Sequence, residues 1–272
     1  MRDTPLSEIE EFALSGGTAH SGQVTRRGAT VRRPAGSYTP AVHALLEHLA
    51  RRGFTGCPRA LGVEDGTEIL TYLPGEPAYR PGRPGTTPLP DWAQTDDAMV
   101  SVARLLRRFH DASESFDPGG LPWQRSVPPG WAGSRVTHND THPANLIFQD
   151  GQATGLIDFD LAGPGTVAFE LAVAACFWVP IRENRDVNDA RRGRLYQRLR
   201  LFLDAYEAAE DVREDVVRAL VPANDWIFGI IREAAERGHP AFARMWALRA
   251  HMAERALSFV RSREAELRAA VL

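Results

Sequence analysis

The sequence predicts an α+β protein in two lobes, a small antiparallel sheet carrying one helix and then a larger, mainly helical region. Three observations predict it. Glycine-punctuated β-type runs fill residues 12–75, a Pro- and Gly-rich connector occupies 74–90, and most of the chain beyond repeats apolar residues at helical spacing. With 272 residues, 43% of them hydrophobic and 25% charged, the chain can bury one large core or two cores sharing a cleft.

The first-lobe strands are read from FALSGG, SGQVTRRG, ATVRRP and EILTYLPG, each short and bounded by turn residues. One helix interrupts them over 40–52, where Val42, Leu45, Leu46 and Leu49 recur three and four apart. The connector has too many φ-restricted residues for a helix. After it, Thr95 is placed to cap a helix whose Met99, Val102, Ala103, Leu106 and Phe109 form one stripe ending near Asp111. Residues 169–181 are nearly all apolar but short of the ~20 a membrane helix needs, so they predict a buried helix. Residues 191–272 are helical by period, with breaks expected near Pro222 and at Gly238, His239 and Pro240.

A formal net charge of −3 gives no electrostatic reason to expect a nucleic-acid or anionic-membrane partner, and a cationic small molecule fits better. Cys57 and Cys176 form no CxxC, which predicts reduced thiols and a cytoplasmic setting. The acidic start MRDTPLSEIEEF lacks the apolar stretch of a signal peptide. All 32 basic residues are arginine.

Most of the chemistry lies in RVTHNDTHPANLIFQDGQATGLIDFDLAGPG. NLIF and ATGLIDF flank Asp150 and Gly151, a pair suited to a type I′ turn. That turn sets Asn145 opposite Leu156, with Asp158 two residues further, an offset of about 6 to 7 Å at roughly 3.3 Å per residue. Asn and Asp oxygens are hard ligands suited to Mg²⁺. Asp140 lies in a loop that Pro143 keeps irregular, where a carboxylate could receive a hydroxyl proton. Phosphoryl transfer needs a cation to gather phosphate charge and a group to orient the nucleophile, and Asp140, Asn145 and Asp158 supply these parts. A rival reading takes His138, Asp140 and His142 as zinc ligands of a metal-dependent hydrolase.

HNDTHPAN followed by IDFD resembles the His-x-Asp-(x)4-Asn and Ile-Asp-Phe/Trp-Asp/Glu signatures of aminoglycoside phosphotransferases and choline-kinase-like enzymes, which have a protein-kinase-like fold. The resemblance spans about residues 14–174. It implies a catalytic Asp140, metal ligands Asn145 and Asp158, a loop-bracing His138, and ATP and Mg²⁺ as cofactors. It divides the chain into a nucleotide lobe, 1–75, and a catalytic and substrate lobe, 76–272. Asn139 and Thr141 replace the commoner Gly and Leu, and Glu170 stands where the family often has an Asp tying down the catalytic loop.

In such enzymes a loop between the first two strands covers the phosphates, and LSGGTAHSGQV takes that place, with Gly17, Ser21 and Gly22 as contacts. The third strand usually carries a Lys, whereas ATVRRP offers Arg32 and Arg33. Alternation admits one of them to the cleft, and Arg32 is the expected one. His43 and Glu47, one helical turn apart, are candidate partners for it. Backbone groups near Tyr72 and Leu73 are expected at the base edge. The acceptor is expected to be a small-molecule hydroxyl, with Asp186, Asp189, Asp204, Glu207, Asp225 and Glu233 suiting an aminoglycoside-like or other amine-bearing compound. Short sequences with an Arg-rich third strand also resemble peptide-toxin immunity factors, so a kinase-shaped protein that binds a toxin or antibiotic without phosphorylating it is the alternative.

Overall fold

The computed structural model describes residues 11–14, 23–79 and 89–272. Five antiparallel strands, β1 (Glu11–Ala13), β2 (Thr25–Arg27), β3 (Thr30–Pro34), β4 (Ala60–Glu64) and β5 (Thr67–Thr71), form one sheet in the order β1-β2-β3-β5-β4. β4 was not expected: its Leu61 and Val63 are exposed, and a bulge at Gly62 breaks its alternation. It is joined to β5 by Asp65 and Gly66, both at positive φ, the backbone a tight two-residue hairpin requires. Helix α1 (Thr39–Arg51) buries Val42, Leu45, Leu46 and Leu49, the stripe its spacing predicts.

Beyond the hinge, β6 (Glu76–Pro77) leaves the first sheet and pairs with β8 (Leu146–Gln149), itself paired with β9 (Gln152–Leu156). β7 (Arg135–Thr137) pairs with β10 (Gly163–Gly165). This short ladder staples together the two loops that follow β7 and precede β10. Helix α2 (Asp96–Ser113) starts as expected, Thr95 accepting from the Ala98 N–H at 3.2 Å, and its Ser101 hydroxyl accepts from the Ala153 N–H of β9 at 2.8 Å. Helix α3 (Val167–Trp178) is the buried apolar helix. Around it lie α4 (Leu195–Tyr206), α5 (Glu210–Glu236), α6 (Pro240–Ser262) and α7 (Glu264–Val271). Among the described residues no helix is long and apolar enough to cross a membrane, and both cysteines are free and buried.

Two details correct the sequence reading. Pro222 does not break a helix: α5 runs through it, because Leu220, Ala223 and Trp226 are buried on either side and their packing outweighs one missing N–H donor. The break falls earlier, at Glu207, which ends α4 in the left-handed region at φ 62°. The hairpin turn is as expected, with Asp150 at φ 50° and Gly151 at φ 73°. Its register, however, slips by one residue at an irregularity after Ile147, so Leu146 faces Leu156 and the Asn145 carbonyl accepts from the Ile157 N–H at 2.9 Å.

Candidate active site

The loop after β7 is held from beneath by one buried carboxylate. Glu170, on the first turn of α3, accepts the backbone N–H groups of His138 (2.9 Å) and Asn139 (3.3 Å) through one oxygen. Its other oxygen meets His110 Nε2 at 2.5 Å, and His110 Nδ1 meets the Tyr206 hydroxyl at 2.7 Å. Asn139 adopts φ 61°, a conformation open to Gly and tolerated by Asn, which explains why Asn stands there. The Asn139 and Thr141 carbonyls accept from the indoles of Trp226 and Trp178, each at 3.2 Å. The loop is thus held directly by groups from two helices, α3 and α5.

His138 braces rather than ligates. Its Nε2 donates to the Ile157 carbonyl at 3.0 Å, leaving Nδ1 to accept the Asp140 N–H at 3.3 Å. Burial holds its pKa below the ordinary imidazole value. His142 likewise uses Nδ1, accepting from the Ala144 N–H at 3.1 Å. The zinc triad His138, Asp140 and His142 is therefore not formed. Among the described residues no group of three His, Cys, Asp or Glu side chains is arranged to hold a metal.

Asp140 and Asn145 are together: the Asn145 amide donates to Asp140 Oδ2 at 2.8 Å and to the Asp140 carbonyl at 3.1 Å. Burial, then the charge of Asp158, pushes the Asp140 carboxyl up to about 7, against the Asn145 hydrogen bond. Asp158 leaves the hairpin at φ 63°, and that turn aims its carboxylate at β3.

There the structure corrects the choice of arginine. Arg33, not Arg32, enters the cleft: Arg33 Nε donates to Glu68, NH1 to Asp158 at 2.8 Å and NH2 pairs with Asp160 at 2.7 Å. Arg32 points outward to an exposed Glu64 at 3.7 Å. The reason is register, since β3 pairs with β5 so that Arg33 lies opposite Glu68 and Val31 opposite Leu70. Asp160, Asp158 and Glu68 together raise the Arg33 pKa despite its burial. One planar fork serves the three carboxylates, each through a different nitrogen.

The helix partners behave differently from expectation. Glu47 is exposed and reaches only Arg51, whereas His43 Nε2 meets Glu68 at 2.9 Å. Neither touches Arg33; the charge partner is Glu68, wholly buried on β5. Glu68 and Asp160 were both missed. A lone carboxylate inside the apolar run EILTY, and the second Asp of IDFD, were the available signals. Tyr38 adds a bond to Asp160 at 2.7 Å. The Tyr72 N–H is taken by the Ala29 carbonyl at 2.8 Å and so does not face a base edge. Leu73 lies so close over Gly155 that a Cβ there would sit 2.8 Å from its Cδ1. Gly17, Ser21 and Gly22 lie outside the described residues.

The donor set fits a divalent cation. Among the described residues one guanidinium faces three carboxylates, and Asp158 raises the Asp140 pKa; with the Asn145 amide these are hard oxygen donors of the kind a dication takes.

A five-stranded sheet with one helix, followed by a mainly helical region with two smaller sheets, and a carboxylate cluster where they meet define a kinase-like fold. A model of the phosphotransferase enzyme family matches residues 21–128 and 120–206, and the chain belongs to that family. It is 31% identical over 225 residues to the trifolitoxin immunity protein of Rhizobium leguminosarum bv. trifolii, covering 78% of this chain and 80% of that one. It is 29% identical over 223 residues to a homoserine kinase of Chelativorans sp., covering 65% and 67%. The solved aminoglycoside phosphotransferase of Alicyclobacillus acidocaldarius superposes with a TM-score of 0.58 at 15% identity, over 96% of this chain and 93% of that one.

Proposed function

We propose that the chain transfers the γ-phosphoryl group of ATP, with Mg²⁺, to a hydroxyl of a small molecule in the cytoplasm. Residues 1–75 form the nucleotide lobe in this reading and 76–272 the catalytic and acceptor lobe. The observation that carries it is Asp140: a half-buried carboxylate bonded to Asn145 and beside Asp158, its pKa pushed up to about 7. Asn145 and Asp158 would hold Mg²⁺, which supplies charge neutralisation of the phosphates. Asp140 orients the acceptor hydroxyl and takes its proton as the oxygen bonds to the γ-phosphorus and the bond to the β-phosphate oxygen breaks, releasing ADP. Arg33 holds Asp158 in place and offers phosphate a charge-assisted donor. His138 and Glu170 keep the loop rigid, so that positioning is present before substrate arrives.

The test pairs calorimetry with product analysis. Wild type is expected to bind Mg·ATP, and Asp158→Asn, whose side chain tolerates the left-handed turn, to lose that binding while staying folded. A folded wild type without affinity for Mg·ATP would discard the proposal.

A second reading has its own support. Arg33 already engages Asp158 and Asp160, and the relative that is 31% identical is an immunity protein. A kinase-shaped binder that sequesters a toxin or antibiotic would bind its target without consuming ATP, which the same experiment detects.

A further inference from the structure

A cavity of about 480 Å³ opens between α3, α5 and α6, directly beyond the catalytic loop, whose His142 and Pro143 form part of its wall. Phe177, Ile227, Phe228 and Ile231 give it an apolar floor, a size and surface suited to a small organic molecule. Its charges are unequal. Two carboxylates line it, and each is held by an arginine in a two-pronged pair: Asp186 by Arg255 (2.6 and 3.1 Å) and Asp189 by Arg191 (2.8 and 3.1 Å).

Arg182 and Arg249 also line the cavity, and neither has a carboxylate partner among the described residues. Among the described residues Arg182 donates to the Cys176 carbonyl alone, at 3.2 Å. Burial, then the neighbouring charge of Arg191, holds the Arg182 pKa below its ordinary value; Asp189 acts against this and Arg249 adds to it. Arg249 also helps hold His142 neutral at the cavity mouth, after burial. The remaining acidic residues expected to favour an amine are elsewhere engaged or exposed. Asp204 pairs with Arg213 and Glu233 with Arg125, while Glu207 and Asp225 are exposed. Among the described residues the cavity thus has two lining arginines outside any carboxylate ion pair, together with an apolar body.

We propose that this cavity takes a small molecule with an apolar body and a carboxylate that sits between Arg182 and Arg249; on the phosphotransfer reading above, on which the acceptor role rests, its hydroxyl lies toward His142 and Asp140. A polycationic aminoglycoside is the wrong charge for it. A guanidinium pair offers forked donors matched to a carboxylate, and the low-dielectric wall strengthens the contact.

Calorimetry on the full chain with Mg·ATP, using chosen probes, tests this. The probes are 4-hydroxybutanoate and 4-(hydroxymethyl)benzoate, their neutral carboxamides, glycerol 3-phosphate, and kanamycin. The carboxylates should bind about 10- to 150-fold tighter than the carboxamides, and Arg249→Ala should erase that difference with Mg·ATP affinity unchanged. Arg182→Lys, which keeps the charge and is the milder change at a partly buried site, should retain part of it. Equal binding of carboxamides, preference for kanamycin, tighter binding of glycerol 3-phosphate, absence of carboxylate binding, or a preference that survives Arg249→Ala each overturns the inference. Carboxylates that bind by this pattern but are not phosphorylated uphold the cavity's preference and count against phosphotransfer alone. Phosphorylation of an amine with undiminished rate in both variants does the reverse.

Discussion

The two ends of the active cleft solve opposite electrostatic problems with the same residue type. At the lobe interface one arginine, Arg33, meets three carboxylates among the described residues, Glu68, Asp158 and Asp160. In the cavity between α3, α5 and α6 both lining carboxylates are paired, and among the described residues two arginines remain over. The difference teaches that arginine content alone says little about ligand charge; what matters is which guanidiniums are already spent on carboxylates. On the readings proposed above, the first region takes a dication and the second an anion.

The largest expected effect breaks the first region at its centre. Asp140→Asn should keep Mg·ATP affinity and lower turnover by about 10²- to 10⁴-fold, since proton acceptance acts in the transition state. Single-turnover measurement of product checks it, and near-normal turnover would remove Asp140 from the role of base. Next, Arg33→Met leaves Glu68 buried without its cation and should cost about 3 to 5 kcal/mol of stability, read from denaturant unfolding. The double variant with Glu68→Gln should recover much of that loss. If it does not, the arginine matters through Asp158 and Asp160 instead.

The second region is sharpened by pH. His142 has its pKa pushed down to about 4, by burial first and by Arg249 second, so the unfolded chain binds a proton that the folded chain refuses. Its contribution to stability is therefore present above about pH 6.5 and is lost as pH falls toward 4. His142→Asn, which can still accept the Ala144 N–H, should flatten that part of the stability profile. In Arg249→Ala the His142 midpoint, followed by NMR, should move upward; an unmoved midpoint would place Arg249 away from the cavity mouth. The smallest effect is Arg32→Ala. Its partner Glu64 is largely exposed, and about 0 to 1 kcal/mol is expected.

Short-range information in the sequence was sufficient for several parts of this molecule. The Asp150–Gly151 turn, the stripes of α1 and α2 and the Thr95 cap each depend on residues within a few positions, or a few helical turns, of one another. Propensity and periodicity act on that scale. The helix break at Glu207 has no such local mark, since neither Gly nor Pro stands there, and the helix through Pro222 overrides the mark that does exist.

By itself, then, the sequence determined the two-lobed α+β class and which loop carries the carboxylates. Only the tertiary structure decided which arginine serves them. Alternation states that Arg32 and Arg33 point to opposite faces but leaves open which face is the cleft; that was set by pairing Arg33 with Glu68, 35 residues away, and Asp158, 125 residues away. The one-residue slip of the hairpin and the charge surplus of the acceptor cavity have the same origin. Both arise from contacts between segments far apart in the chain, whose register and pairing no local pattern encodes.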